Sequence, residues 1–243
     1  MRLPFDQHVR RRLYLVRHGE SAARQDSDGL YGDQIVLTAR GEEEAKAMAE
    51  TLGQVRFDEV YSSDIYRARQ TAEIVVGARN LTIEPSARFT EMRGDIATVL
   101  RSDRPALERQ ISFAYAMWSA NEEGSAFFGG DTYAAYLART AQTLTDFVRE
   151  STASNILIVS HSGFQRAALC WVLDALPVGL AKFEQDTCCL NILDIDIDAA
   201  GNIVRKHVRL ANYTPLDPVK DQSRLTDGER LAHRFVPVSS ATQ

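Results

Sequence analysis

The run Ile156-Leu157-Ile158-Val159 constrains this chain more than any other segment. Four consecutive apolar residues show no alternation, so a strand here must be covered on both faces, as in the middle of a parallel sheet. The cover must be helical, and helical patterns do alternate with short apolar runs. Leu13 to Val16 reads as the first strand, entered through a solvated Arg10-Arg11-Arg12. Thr38 reads as the N-cap of a helix to about Leu52, with glutamates at 42 to 44 in its first turn and Gly53 at its end. Val60-Tyr61 ends a second strand. Ser62-Ser63-Asp64 then supplies capping residues for a helix holding Arg67, Thr71, Ile74 and Val75. Leu81 to Ile83 is a short strand. Asp131 or Thr132 caps a long helix to about Arg149, and Phe164 to Leu173 forms another. Leu190 to Ile197 has period two, turns at Ala200-Gly201-Asn202 and returns as Ile203 to Leu210. That pair is antiparallel, at one edge of the sheet. The expected class is α/β, a three-layer sandwich whose mainly parallel sheet has helices on both faces.

The 243 residues suit a single domain. Its core spans about 13–214. Residues 86–130 form an insertion, with a helix around Leu107 to Ser119 and a turn at Gly129-Gly130. Residues 215–243 are a polar tail that either covers something or frays. Net charge is -5 with no basic stripe, so no nucleic-acid partner is expected, and an anionic substrate needs locally placed arginines. No run of eighteen apolar residues occurs and the start lacks a signal-like stretch, so no membrane partner is expected. Cys170, Cys188 and Cys189 sit in apolar surroundings and read as buried thiols, which fits a cytoplasmic location. Asp194, Asp196 and Asp198 alternate as the solvent face of an edge strand does, a better reading than a metal site. His8, His207 and His233 have no partner pattern. Tyr115, Trp118, Phe127 and Phe128 read as packing of the insertion.

Ligands in such sheets gather beyond the carboxyl ends of the strands. Arg17-His18 ends the first strand, His161 follows the Asn155 strand, and Arg67 lies one turn after the Tyr61 strand. Each alone has an ordinary structural reading; their conjunction points to phosphate. A phosphate monoester carries close to two negative charges. Arginine grips it bidentately and never deprotonates. A neutral histidine is available as nucleophile near its usual value of ~6.5. Splitting hydrolysis into two in-line transfers through phosphohistidine makes each step easier.

Leu15-Val16-Arg17-His18-Gly19-Glu20-Ser21 resembles the signature of the histidine phosphatase superfamily, the phosphoglycerate mutase-like proteins. Leu37-Thr38-Ala39-Arg40-Gly41, the segment Tyr61 to Ala72, and Ile158-Val159-Ser160-His161-Ser162-Gly163 resemble its further motifs, in order. The resemblance implies that His18 attacks phosphorus and that Arg17, Arg67 and His161 hold the phosphoryl oxygens. It implies that Glu91, in Phe89-Thr90-Glu91-Met92-Arg93-Gly94, is the proton donor, with Asp95 or Glu84 as fallbacks. Ser162 and Arg24 join the substrate-binding set. Arg24 stands where the family often has an asparagine. Gly94 follows the acid by three residues rather than four, and no Trp-Glu-Gly comes after. No metal or other cofactor is implied. The partner is a small phosphorylated metabolite; oligomeric state is not readable.

Rivals differ in testable ways. A mutase would share the chemistry up to phosphohistidine but adds arginines and a longer segment after the acid, which are not found. A serine-hydrolase elbow needs glycine where Ser160 and Phe164 stand. A cysteine-phosphatase loop needs arginine at positions holding Leu176, Asp194 and Ile195. A silenced phospho-ligand binding protein would lack phosphoenzyme formation.

Overall fold

The computed structural model describes residues 8–22, 32–95, 126–175, 179–222 and 224–235. Among them, β1 (Val9–Arg17), β2 (Glu59–Ser63), β3 (Ile83–Ser86), β4 (Asn155–Ser160), β5 (Leu190–Ile197) and β6 (Ile203–Tyr213) form one sheet of order β3-β2-β4-β1-β5-β6. The first four in that order are parallel; β5 runs antiparallel to β1, and β6 to β5. The helices are α1 (Ala39–Thr51), α2 (Tyr66–Val76), α3 (Tyr133–Glu150), α4 (Ser162–Val172) and α5 (Asp227–Phe235).

The apolar run lies in β4, between β2 and β1, and residues 156–159 are fully buried. Ile156 and Ile158 join Leu13 and Leu15 against Leu144 and Phe147 of α3 and Phe164 and Leu169 of α4. Leu157 and Val159 join Tyr14 and Val16 against Met48 of α1 and Ala68 and Val75 of α2. Each such side chain contributes roughly 1.5–3 kcal/mol by leaving water. Two cores on opposite faces make three layers, as expected. Thr38 caps α1 by accepting from the Gly41 amide, and Thr132 caps α3 by accepting from that of Ala135.

Some readings need correction. Arg10-Arg11-Arg12 is not a solvated entry but part of β1. Asp194 and Asp196 are not a solvent face either. They are buried on β5, which has neighbours on both sides. The cross-strand register places Arg12 opposite Asp194 and Arg10 opposite Asp196. Arg12 grips Asp194 at 2.7 and 2.8 Å, and Arg10 grips Asp196 at 2.7 and 3.0 Å. The Arg10 hydrogen bond, helped by Arg205, holds the Asp196 carboxyl at about 2 despite its burial. Arg11 points to the other face, where its Nε donates to the Val148 carbonyl at 2.6 Å. The third strand begins at Ile83 and runs to Ser86, later than Leu81–Ile83. Ile65 occupies the N-cap of α2 with no side-chain cap; Ser63 instead accepts from the Ile65 amide at 3.2 Å. The expected helix at 107–119, with Tyr115 and Trp118, lies outside the described residues, as does the His233 side chain. Phe127 and Phe128 are buried with Met92 and Tyr136, so they pack rather than line a mouth.

Candidate active site

The parallel strands deliver one candidate residue each at the same end of the sheet. His18 follows β1, Arg67 lies in the first turn of α2 after β2, Glu91 follows β3 and a short 3-10 turn, and His161 follows β4. The backbone fixes His18 tightly. Its amide donates to the Ser160 carbonyl at 2.9 Å, and its carbonyl accepts from the Cys188 amide at 3.1 Å. Gly19 and Gly41 let the following loop close on the start of α1. A Cβ on Gly19 would lie 2.5 Å from the Gly41 carbonyl oxygen, and one on Gly41 would lie 2.0 Å from that of Glu20.

Hydrogen bonding sets the tautomer of His18. Its Nδ1 lies 2.8 Å from the Gly19 carbonyl, which can only accept, so Nδ1 carries the proton. Arg67 Nε, which can only donate, points at His18 Nε2 from 3.1 Å. The Nε2 lone pair therefore faces the arginine. The same guanidinium reaches His161: Arg67 Nη2 lies 3.4 Å from its Nδ1. That leaves the proton of a neutral His161 on Nε2, which is buried and has no hydrogen-bond partner among the described residues. The two rings stand 5.2 Å apart, centroid to centroid. Burial, then the charges of Arg67 and Arg17, hold His18 well below its usual value, although the Gly19 carbonyl opposes this. Burial and Arg67 lead in lowering His161 as well. Both rings are neutral near pH 7, one offering a lone pair and the other an N–H.

Arg17 is buried: its Nη1 donates to the Gln185 carbonyl at 2.6 Å and meets Asp227 Oδ1 at 2.8 Å. Gln185 belongs to a buried amide cluster, in which its Oε1 accepts from Asn191 Nδ2 at 2.7 Å. The Glu91 carboxylate accepts three hydrogen bonds. Oε2 accepts from the Gly163 amide at 3.0 Å; Oε1 accepts from the Met92 amide at 2.9 Å and the Tyr136 hydroxyl at 3.3 Å. Gly163 opens α4 two residues after His161, and a Cβ there would lie 2.3 Å from Glu91 Oε1. Ser162 is buried at the start of α4, with its Oγ accepting from Arg166 Nε at 3.3 Å. Arg24 lies outside the described residues. Of the fallback acids, Asp95 is tied through its amide to the Phe128 carbonyl at 3.0 Å. Glu84 lines a separate cavity of about 410 Å³ with Glu59, Tyr61 and Arg88, which includes none of Arg17, His18, Arg67, Glu91 and His161. Three positions escaped sequence reasoning: Asp227, Tyr136 and the Gln185 cluster. A polar tail and a tyrosine on an amphipathic helix carry no motif that would single them out.

A mainly parallel α/β sheet thus brings two neutral histidines, bridged by one arginine, to its strand ends. The chain belongs to the histidine phosphatase superfamily (branch 1), whose family model matches residues 13–206. It is 30% identical over 187 residues to the adenosylcobalamin/alpha-ribazole phosphatase of Salmonella typhimurium, covering 76% of this chain and 90% of that one. It is 26% identical to phosphoserine phosphatase 1 of Hydrogenobacter thermophilus, covering 73% and 82%. Among solved structures it is similar to the alpha-ribazole phosphatase of Shigella flexneri, with a TM-score of 0.64, 29% identity, and 83% and 96% of the two chains covered.

Proposed function

We propose that this protein hydrolyses a small phosphate monoester through a phosphohistidine on Nε2 of His18, without a metal. One observation carries the reading: the Gly19 carbonyl and Arg67 Nε together hold the His18 ring with its lone pair on Nε2. In the first step Nε2 attacks phosphorus and a P–N bond forms as the P–O bond to the alkoxide breaks. Arg17, Arg67 and the His161 Nε2–H take the charge on the phosphoryl oxygens. Glu91 gives its proton to the leaving oxygen. In the second step the Glu91 carboxylate takes a proton from water, the oxygen attacks phosphorus, and the P–N bond breaks to release inorganic phosphate.

The relatives' names support a small phosphorylated substrate. Ser162 and Arg24 belong to the proposed substrate side, and the chain is read as one domain with its core at about 13–214. No described helix is long and apolar enough to cross a membrane. A cytoplasmic setting belongs to the proposal, supported by three buried free cysteines. The test is p-nitrophenyl phosphate hydrolysis in EDTA. Wild type turns over, and His18→Ala loses about 10⁴-fold or more. Activity that survives the substitution, or that EDTA abolishes, contradicts the mechanism.

A further inference from the structure

A residue that serves first as acid and then as base must be held in both of its states. Glu91 accepts from three donors, the hydrogen-bond pattern of an ionised carboxylate. Two of those donors are backbone amides and cannot turn away. The third can. The Tyr136 hydroxyl has a single hydrogen and, among the described residues, two acceptors in reach, Glu91 Oε1 at 3.3 Å and the Thr90 carbonyl at 3.1 Å. The rest of the side chain is held: Tyr136 is 2% exposed, and the Arg139 guanidinium carbon lies 4.8 Å from its ring centroid. Only the O–H torsion remains soft.

We propose that Tyr136 is a positioning residue that follows the charge of Glu91 by rotating its hydroxyl between that carboxylate and the Thr90 carbonyl. With Glu91 ionised, the hydroxyl donates to Oε1 and supports the base that activates water. With Glu91 protonated, it swings to the Thr90 carbonyl, and Oε1 loses a donor without any buried group losing its partner. The carboxyl then keeps its orientation through the Gly163 and Met92 amides while its proton faces the leaving oxygen. This inference rests on the reading of Glu91 as proton donor.

The experiment compares wild type, Tyr136→Phe, Glu91→Gln and the double variant on benzyl phosphate, a poor leaving group, and p-nitrophenyl phosphate, a good one. Thermal midpoints confirm that each variant folds. Tyr136→Phe removes the one donor to Glu91 Oε1 that can turn away. At pH 7 kcat falls about threefold to tenfold as the base step loses support. The loss in kcat is read on both esters, because water attack on the phosphohistidine follows the first transfer from either one. In the Glu91→Gln background the tyrosine substitution adds nothing. Suppose Glu91→Gln still discriminates between the two esters. An unchanged kcat in Tyr136→Phe, or an undiminished effect in the double variant, then overturns the role of Tyr136 alone. Equal losses on both esters in Glu91→Gln overturn the acid assignment, and the tyrosine proposal with it.

Discussion

The two sides of His18 are built by different means. On one side Arg67, His161 and the Gly19 loop sit on consecutive parallel strand ends, buried and pinned by backbone hydrogen bonds. On the other side the C-terminal segment reaches back through charge. Asp227 meets Arg17, while Lys220 and Arg230 meet Asp186 at 2.9 and 2.6 Å, through side chains partly open to solvent. The first side depends on the sheet and cannot change without it. The second joins the site through ion pairs, which salt and substitution can loosen while leaving the core intact. In the proposed mechanism the sheet side sets the chemistry, and the charged side tunes the grip of one arginine.

The sharpest way to break that division is Arg67. Arg67→Ala should lower kcat/KM by about 10²–10³-fold, the cost of removing a preorganised donor at the phosphoryl group. Arg67→Lys should recover little, because one ammonium cannot address both histidines as the fork does. Full rescue by lysine would mean that charge alone matters. Next in size is the core beneath. Ile158→Ala should cost about 2–5 kcal/mol in urea unfolding, since the residue is fully buried in the β4 core. A cost near zero would mean that the sheet does not bear the site.

Asp227→Ala should lower kcat/KM only about tenfold, the worth of one charge-assisted hydrogen bond of ~1.5 kcal/mol, and leave the unfolding midpoint nearly unchanged. A rise in activity would show that the carboxylate competes with phosphate rather than orienting Arg17. The smallest effect is on stability against pH. Both histidines are held neutral well below their usual value, first by burial and then by Arg67. Below pH ~6.5 the unfolded chain binds protons that the folded chain refuses, so stability should fall as pH drops, levelling off once the folded-state values are passed. His161→Asn should flatten this dependence in urea melts from pH 7.5 to 5. An equally steep slope would place the titration elsewhere.

Much of the sheet side was legible because its signals are local. The apolar run of β4, the Thr38 and Thr132 caps, and histidines at strand ends are each set by a few neighbouring residues. What was misread depends on distant partners. Arg10 and Arg12 look solvated until Asp194 and Asp196 arrive opposite them from a strand far along the chain. Those aspartates look like a solvent face until the same arginines cover them. Asp227 sits in a polar stretch whose only cue is its charge. Glu91 was reached by family resemblance rather than by pattern, since glutamate in an irregular segment is otherwise ordinary. Tyr136 shares the buried stripe of α3 with Tyr133, Leu137, Leu144 and Phe147, so its hydroxyl is masked by the hydrophobic role of its ring.

The most direct test is to trap the covalent intermediate. Wild type mixed with ³²P-labelled p-nitrophenyl phosphate and quenched in alkali, where phosphohistidine survives, should carry label on the peptide containing His18. The phosphoryl group should sit on Nε2, as judged against isomer standards, and the label should be lost in acid. Label on His161, on a serine or a carboxylate, or on Nδ1 of His18 would contradict the account. So would turnover in His18→Ala at the wild-type rate.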